Sequence, residues 1–190
     1  MSDYKFKAVV IGGSAGSFPL VTKILASLPK QFPLPVFLCL HRLKHIRHGF
    51  VEALALKSNI PIVEPEDKET IKNGIAYLAP SNYHMYVELG NKIALSTEEM
   101  VKYSRPSIDL TFDTASFVYR EKILGIMLSG ANTDGAEGIR KLKERGGYAI
   151  AQDPAEASVR TMPEAAIKIA PMDEILKLED IIKFLNKLTA

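Results

Sequence analysis

Short apolar runs recur along this chain, each followed by a segment whose apolar positions fall at helical spacing. Phe6–Ile11 reads as a first strand. Ser17–Leu28 follows as a helix, with Leu20, Ile24, Leu25 and Leu28 on one face and Pro29 beyond its end. Leu34–Leu40 is a second strand that runs directly into His41, and Gly49 opens a helix that reaches about Leu56. Ile60–Val63 is a short third strand. The middle of the chain changes character. Ile75–Pro80, His84–Leu89 and Lys92–Ser96 read as short strands, with Gly90-Asn91 as a tight turn between the last two. These are expected to form an antiparallel hairpin at the edge of the sheet. Ser104–Ser107 caps a helix from Ile108 to Tyr119, and Ile123–Leu128 is again a strand. The loop Ser129–Ala136 enters a helix that ends at about Glu144, where Gly146-Gly147 stops it. Tyr148–Ala151 (strand), Pro163–Ala170 (helix), Glu174–Lys177 (extended) and Glu179–Leu188 (helix) complete the chain. Strands alternating with helices predict an α/β fold: a doubly wound, mainly parallel sheet with helices on both faces.

Composition bounds this picture more than it changes it. A chain of 190 residues is expected to be a single domain with a full core. The net charge of +2 excludes a strong electrostatic hold on nucleic acid. No apolar run is long enough to cross a bilayer, and the first residues lack a signal-peptide core. Cys39 is the one cysteine, so no internal disulfide forms. It reads as a packed core thiol in a cytoplasmic protein.

In a doubly wound sheet, ligands bind outside the carboxyl ends of the strands. Ser14 follows the first strand, His41 the second, Asp134 the Ile123 strand and Asp153 the Tyr148 strand. A hydroxyl, an imidazole and carboxylates on one rim are the parts of an acyl-transfer site. Ser14 lies in Gly12-Gly13-Ser14-Ala15-Gly16, which fits G-x-S-x-G on a strand-to-helix turn. Each member also has a plainer reading. Ser14 can cap the first helix, as Asp134, Asn132 or Thr133 can cap theirs, and Asp153 before Pro154 is ordinary turn chemistry. His41 sits at the strand end, unlike His45 and His48 in the basic loop Arg42–His48. Other ligand chemistries fit worse. The glycine spacing is wrong for a dinucleotide fold, and no Asp or Glu occurs between Ser14 and Glu52. Ser17-Phe18 stands where a P-loop needs Lys-Ser or Lys-Thr. The histidines lack companion ligands at zinc spacing. The order Ser14, His41, Asp134 also differs from the serine, acid, histidine order of the usual α/β-hydrolase.

From Ile11 to about Ile167 the chain resembles the catalytic domain of the CheB chemotaxis methylesterases. The stretches that carry the resemblance are Ile11–Gly16, His41 with Gly49-Phe50, and Tyr77-Leu78-Ala79-Pro80. Further along come Arg105-Pro106-Ser107-Ile108-Asp109, Leu128-Ser129-Gly130 leading to Asp134-Gly135-Ala136, Ala151-Gln152-Asp153 and Met162–Ala166. The resemblance implies a serine hydrolase that removes glutamate γ-methyl esters from the cytoplasmic helices of methyl-accepting chemotaxis receptors. Some relatives also deamidate receptor glutamines. It implies Ser14 as nucleophile, His41 as base and Asp134 as acid. Backbone around Gly13, Ala15 and Ala131 would form the oxyanion site. Arg105 would reach into the cleft or pair with Asp109, and Met162 would line the cleft or pack in the core. No metal or organic cofactor is needed. The basic loop Arg42–His48 would meet an acidic receptor helix bundle or remain a solvated loop. The family commonly has Ser or Thr at the Ala15 position, Gly at Ser17, Met at Ala131, and Gln and Met where Leu40 and Arg42 flank the histidine. These departures bear on substrate choice and efficiency. The chain is expected to be one catalytic domain, without the N-terminal receiver domain of full-length members: either a stand-alone enzyme, for which a separate regulatory partner is one candidate means of control, or an excised domain. Two other readings remain: a hydrolase with the same triad acting on another carbonyl compound, and a silent binding module.

Overall fold

The computed structural model describes residues 5–41 and 49–188, so the expectations for Arg42, His45, His48 and the rest of the basic loop lie outside the described residues. The elements follow in the order β1 (Ala8–Gly13), α1 (Phe18–Ser27), β2 (Val36–Leu40), α2 (Phe50–Ala55), β3 (Ile62–Val63), β4 (Ala76–Leu78), β5 (His84–Glu88), β6 (Lys92–Ser96) and α3 (Ile108–Tyr119). After a short 3-10 turn come β7 (Ile123–Met127), α4 (Ala136–Glu144), β8 (Tyr148–Gln152), α5 (Thr161–Ile169), β9 (Glu174–Leu176) and α6 (Leu178–Lys187).

Seven strands form one parallel sheet in the order β3-β4-β2-β1-β7-β8-β9. The inner strands are apolar at consecutive positions because both faces are covered. Val9 and Ile11 point into a core closed by Val21, Ile24 and Leu25 of α1 and Ile181 and Leu185 of α6. Ala8 and Val10 point into a second core with Ile108 and Phe112 of α3, Ile139 and Leu142 of α4 and Met162 of α5. Cys39 lies in this second core, fully buried. Burial, and after it the negative charge of Asp134, pushes its thiol far above the ordinary range, which makes it an inert packing group.

The expectation for the middle of the chain needs one correction. Ala76–Leu78 belongs to the parallel sheet, between β3 and β2, while β5 and β6 pair only with each other. The hairpin lies on α3 instead of extending the sheet edge. Its Met85, Val87 and Ile93 enter the second core. Two threonines of α3 occupy backbone groups of β5 that another strand would otherwise use. Val87 N–H donates to Thr114 Oγ1 (3.1 Å), and Thr111 Oγ1 donates to the Met85 carbonyl (2.9 Å). Among the described residues no helix is long and apolar enough to cross a membrane.

One close approach decides where the chemistry can sit. A Cβ on Gly138 of α4 would stand 2.7 Å from the Asp109 carbonyl of α3. Only glycine lets the two helices meet this closely, so the loop that leads into α4 is drawn against the N-terminus of α3.

Candidate active site

The strand β1 runs through Gly13, and the chain then turns sharply into α1 with Gly16 at φ +80°. Ser14 sits on this turn, half-buried. Its N–H donates to the Ser129 carbonyl (2.9 Å), and its own carbonyl accepts from Ser17 N–H (3.0 Å) and Ser17 Oγ (2.6 Å). The N-cap position of α1 belongs to Ser17, so Ser14 does not serve as the helix cap. Both backbone polar groups of Ser14 are therefore held from neighbouring segments, which fixes the direction of its side chain.

His41 follows β2, and its N–H donates to the Gly13 carbonyl (3.0 Å), which sets it beside the Ser14 turn. Its Nε2 lies 2.8 Å from Asp134 Oδ2. An ionised carboxylate only accepts, so Nε2 carries the proton and Nδ1 keeps its lone pair. Asp134 is fully buried and saturated with donors. Oδ2 also accepts Ile108 N–H (2.7 Å), and Oδ1 accepts Asp109 N–H (3.0 Å) and Ser107 Oγ–H (3.0 Å). Burial works against the charge. The hydrogen bonds from His41, Ile108 and Asp109 outweigh it and hold the carboxyl below its ordinary range. The positive end of α3 acts in the same direction.

The two helices exchange carboxylates. Asp134, on the loop before α4, accepts the first N–H groups of α3. Asp109, in the first turn of α3, accepts Gly135 N–H (2.8 Å) and Gly138 N–H (2.7 Å) at the start of α4. Asp109 is also paired with Lys102 Nζ at 2.8 Å. The sequence marks Ser107 as part of a helix cap but carries no sign of its hydrogen bond to Asp134. The Ser107 hydroxyl accepts Leu110 N–H (3.4 Å) as the helix cap and gives its own proton to Asp134. Ser107 N–H in turn donates to Nδ1 of the buried His84, whose Nε2 faces the Glu99 carbonyl at 2.9 Å.

Ser129 ties the nucleophile turn to the rest of the rim. Its hydroxyl donates to the Ala15 carbonyl (2.8 Å) and accepts Val159 N–H (2.9 Å), while its N–H donates to Gln152 Oε1 (2.9 Å). Ser129 and Gln152 stand in stretches that carry the family resemblance, but nothing in their spacing marks these contacts.

The remaining candidates divide. Gly13 is the last residue of β1 and is paired in the sheet. Ala15 and Ala131 are exposed on the two facing loops, and their N–H groups make no hydrogen bond among the described residues. Met162 is fully buried beneath Gly130, within the second core. Arg105 neither pairs with Asp109 nor stands free. It clamps Asn82 Oδ1 (2.9 Å) and the carbonyls of Thr97 (2.5 Å) and Glu98 (2.7 Å). Asp153 keeps its plainer reading, with Oδ1 accepting Ala155 N–H (2.9 Å) in a turn.

A cleft of about 580 Å³ lies on the same rim, one strand beyond His41, lined by Val51 and Glu52 of α2, Glu64 and the Pro80–Tyr83 turn. Among the described residues no group of three or more His, Cys, Asp or Glu side chains is arranged to hold a metal ion.

Comparison with known proteins now bears on this geometry. The family model described as CheB methylesterase matches residues 9–185. The chain belongs to this family. A putative protein-glutamate methylesterase/protein-glutamine glutaminase of Leptospira interrogans is 43% identical over 183 residues, covering 96% of this chain and 95% of the relative. The protein-glutamate methylesterase/protein-glutamine glutaminase of Nitrosospira multiformis is 36% identical and covers 97% of this chain, which spans 52% of that relative. The crystal structure of the Thermotoga maritima CheB methylesterase catalytic domain superposes with a TM-score of 0.91. It is 31% identical and covers 96% of this chain and 98% of that one. The CheB catalytic-domain fold is thus present over 96% of this chain.

Proposed function

We propose that this protein is a cytoplasmic serine hydrolase that removes γ-methyl esters from glutamates on chemoreceptor helices through Ser14, His41 and Asp134. The observation that carries this reading is the buried carboxylate of Asp134, which holds His41 Nε2 at 2.8 Å beside the Ser14 turn. That bond leaves Nδ1 as the ring nitrogen able to take a proton from Ser14.

The reaction then runs as an acyl transfer. Ser14 Oγ attacks the ester carbonyl while His41 Nδ1 removes its proton. Asp134 stabilises the imidazolium that forms. The N–H groups of Ala15 and Ala131, which make no hydrogen bond among the described residues, receive the oxyanion; one such donor is worth about 3–4 kcal/mol. Ser14 N–H is already bonded to Ser129 and is not one of them. His41 returns the proton to the departing methoxide, so methanol leaves. Water then attacks the glutamyl-Ser14 ester with His41 again as base, releasing glutamate and the free hydroxyl. A glutamine side chain would form the same acyl-enzyme with ammonia as leaving group, and the relatives' names pair these two activities.

Methanol release from methylated chemoreceptor membranes tests the proposal, with native protein compared with Ser14→Ala, His41→Ala and Asp134→Ala. Release by the native protein that is lost in the variants supports it. A small ester hydrolysed by the same three residues, with no methanol from receptors, would point to a hydrolase of another substrate. No reaction with either by folded protein would leave a binding module.

A further inference from the structure

The turn Val101–Ser104 stands beside the loop that carries Asp134. Val101 N–H donates to the Ser104 carbonyl (3.2 Å) and Ser104 N–H to the Val101 carbonyl (2.8 Å), so the turn is a two-residue hairpin. Its central residues are Lys102 at φ 49° and Tyr103 at φ 62°. A hairpin turn of this kind favours Asn-Gly, because left-handed backbone is costly for residues with a Cβ. Here a lysine and a tyrosine occupy both positions.

Lys102 uses its place. Nζ is 2.8 Å from Asp109 Oδ2 and donates to the Thr133 carbonyl (3.2 Å), while Asn132 Nδ2 donates to Ser104 Oγ (3.3 Å). Asn132 and Thr133 immediately precede Asp134, and Asp109 binds Gly135 just after it. The turn is therefore fastened to both sides of the buried acid. Tyr103 gains nothing comparable among the described residues. It is 98% exposed, more than any other large hydrophobic residue described, and Met100 nearby is 41% exposed. The Lys102 charge is matched by Asp109, so an aromatic ring is what the turn offers to a partner. Backbone strain held in place by surrounding contacts concentrates at functional sites. A tyrosine on a rigid platform supplies contact area at little entropic cost.

We propose that Tyr103 is a docking residue for the protein substrate: its ring packs on the aliphatic stems of the α-helical segment whose esterified glutamate enters the Ser14–His41–Asp134 site. This rests on the methylesterase reading and deepens it. A small ester needs no such contact. A helix presents neighbouring side chains at every third and fourth position, and these can lie against the ring while one enters the site.

Two measurements test the proposal. Steady-state methanol release from methylated receptor membranes is compared with hydrolysis of p-nitrophenyl acetate for native protein, Tyr103→Ala, Tyr103→Phe and Tyr103→Gly. Tyr103→Ala should raise KM for the membranes at least fivefold, with kcat and the small-ester rate within twofold of native. Tyr103→Phe should resemble native. Tyr103→Gly should melt no lower than native, since glycine accepts the left-handed backbone, yet share the raised KM. The chain has no tryptophan, so Tyr103→Trp in the Ser14→Ala background places its one tryptophan, excited selectively over the tyrosines, on the turn. Its emission should shift to the blue when receptor membranes are added. An unchanged KM together with unmoved emission overturns the proposal. If native protein releases methanol under those conditions, the methylesterase reading survives alone. If emission shifts but native protein releases no methanol, docking stands and the reading of the reaction falls.

Discussion

Replacing Asp134 by asparagine keeps the shape of the side chain and removes its charge. Four donors now converge on the carboxylate: His41 Nε2 at 2.8 Å, Ile108 N–H at 2.7 Å, and Ser107 Oγ and Asp109 N–H at 3.0 Å each. Asparagine can accept at only one of its two terminal atoms. With its oxygen toward Ser107 and Asp109, its NH₂ opposes the Ile108 N–H and drives His41 into the tautomer that protonates Nδ1. With the oxygen toward His41 and Ile108, the NH₂ opposes Asp109 N–H, and Ser107 must turn its hydroxyl proton away from residue 134. Either way one buried backbone N–H loses its partner, which costs about 1–3 kcal/mol, and the surviving bonds lose their charge assistance. The stability loss should be about 3–5 kcal/mol. The catalytic loss comes from the transition state, where His41 becomes cationic. A carboxylate 2.8 Å away stabilises that charge by about 6 kcal/mol at an effective dielectric of about 20, or roughly ten-thousand-fold in rate. Urea unfolding and kcat for methanol release read the two effects separately. A variant that kept more than a hundredth of native kcat with unchanged stability would refute the reasoning.

Three further outcomes follow from the same contacts. The Asp134 carboxyl is depressed when folded, so its stabilisation is present above the unfolded value near 3.8 and is lost as pH falls through the folded value; the melting-temperature gap between native protein and Asp134→Asn should narrow as pH drops from 5 to 2. Ser107→Ala removes a hydrogen bond to a charged group and the α3 cap, so it should cost about 2–4 kcal/mol by urea unfolding and about tenfold in kcat, with Ser107→Thr restoring most of both. Gly138→Ala puts a Cβ within 2.7 Å of the Asp109 carbonyl, so it should cost about 1–3 kcal/mol and lower kcat at temperatures where the variant remains folded, because α4 carries the Asp134 loop away from α3.

Much of this arrangement was legible in the chain. The alternation of apolar runs with helical spacing marks β1, β2, β7 and β8. A strand end is a place on the rim, so the sequence pattern puts Ser14, His41 and Asp134 on one rim. Local pattern could not say which neighbour each short middle strand would choose. Ala76–Leu78 joins the sheet and the hairpin rests on α3, because Thr111 and Thr114 occupy the backbone of β5, a contact made across the fold. Arg105 was legible as a charge near the site but not as a clamp, since its acceptors are carbonyls of a loop and the side chain of Asn82. The exchange of Asp134 and Asp109 between two helix starts was hidden for the same reason. Asp134 reads as a cap for its own helix and Asp109 as a partner for Arg105, and only the close contact at Gly138 makes each serve the other helix.

Covalent trapping tests the central claim most directly. Native protein is treated with a serine-directed phosphonate, and the modified residue is located by peptide mass spectrometry. The account predicts one adduct, on Ser14, that forms far more slowly in His41→Ala and Asp134→Asn. Folded native protein that stays unmodified, or an adduct on another serine such as Ser17 or Ser158, would contradict it.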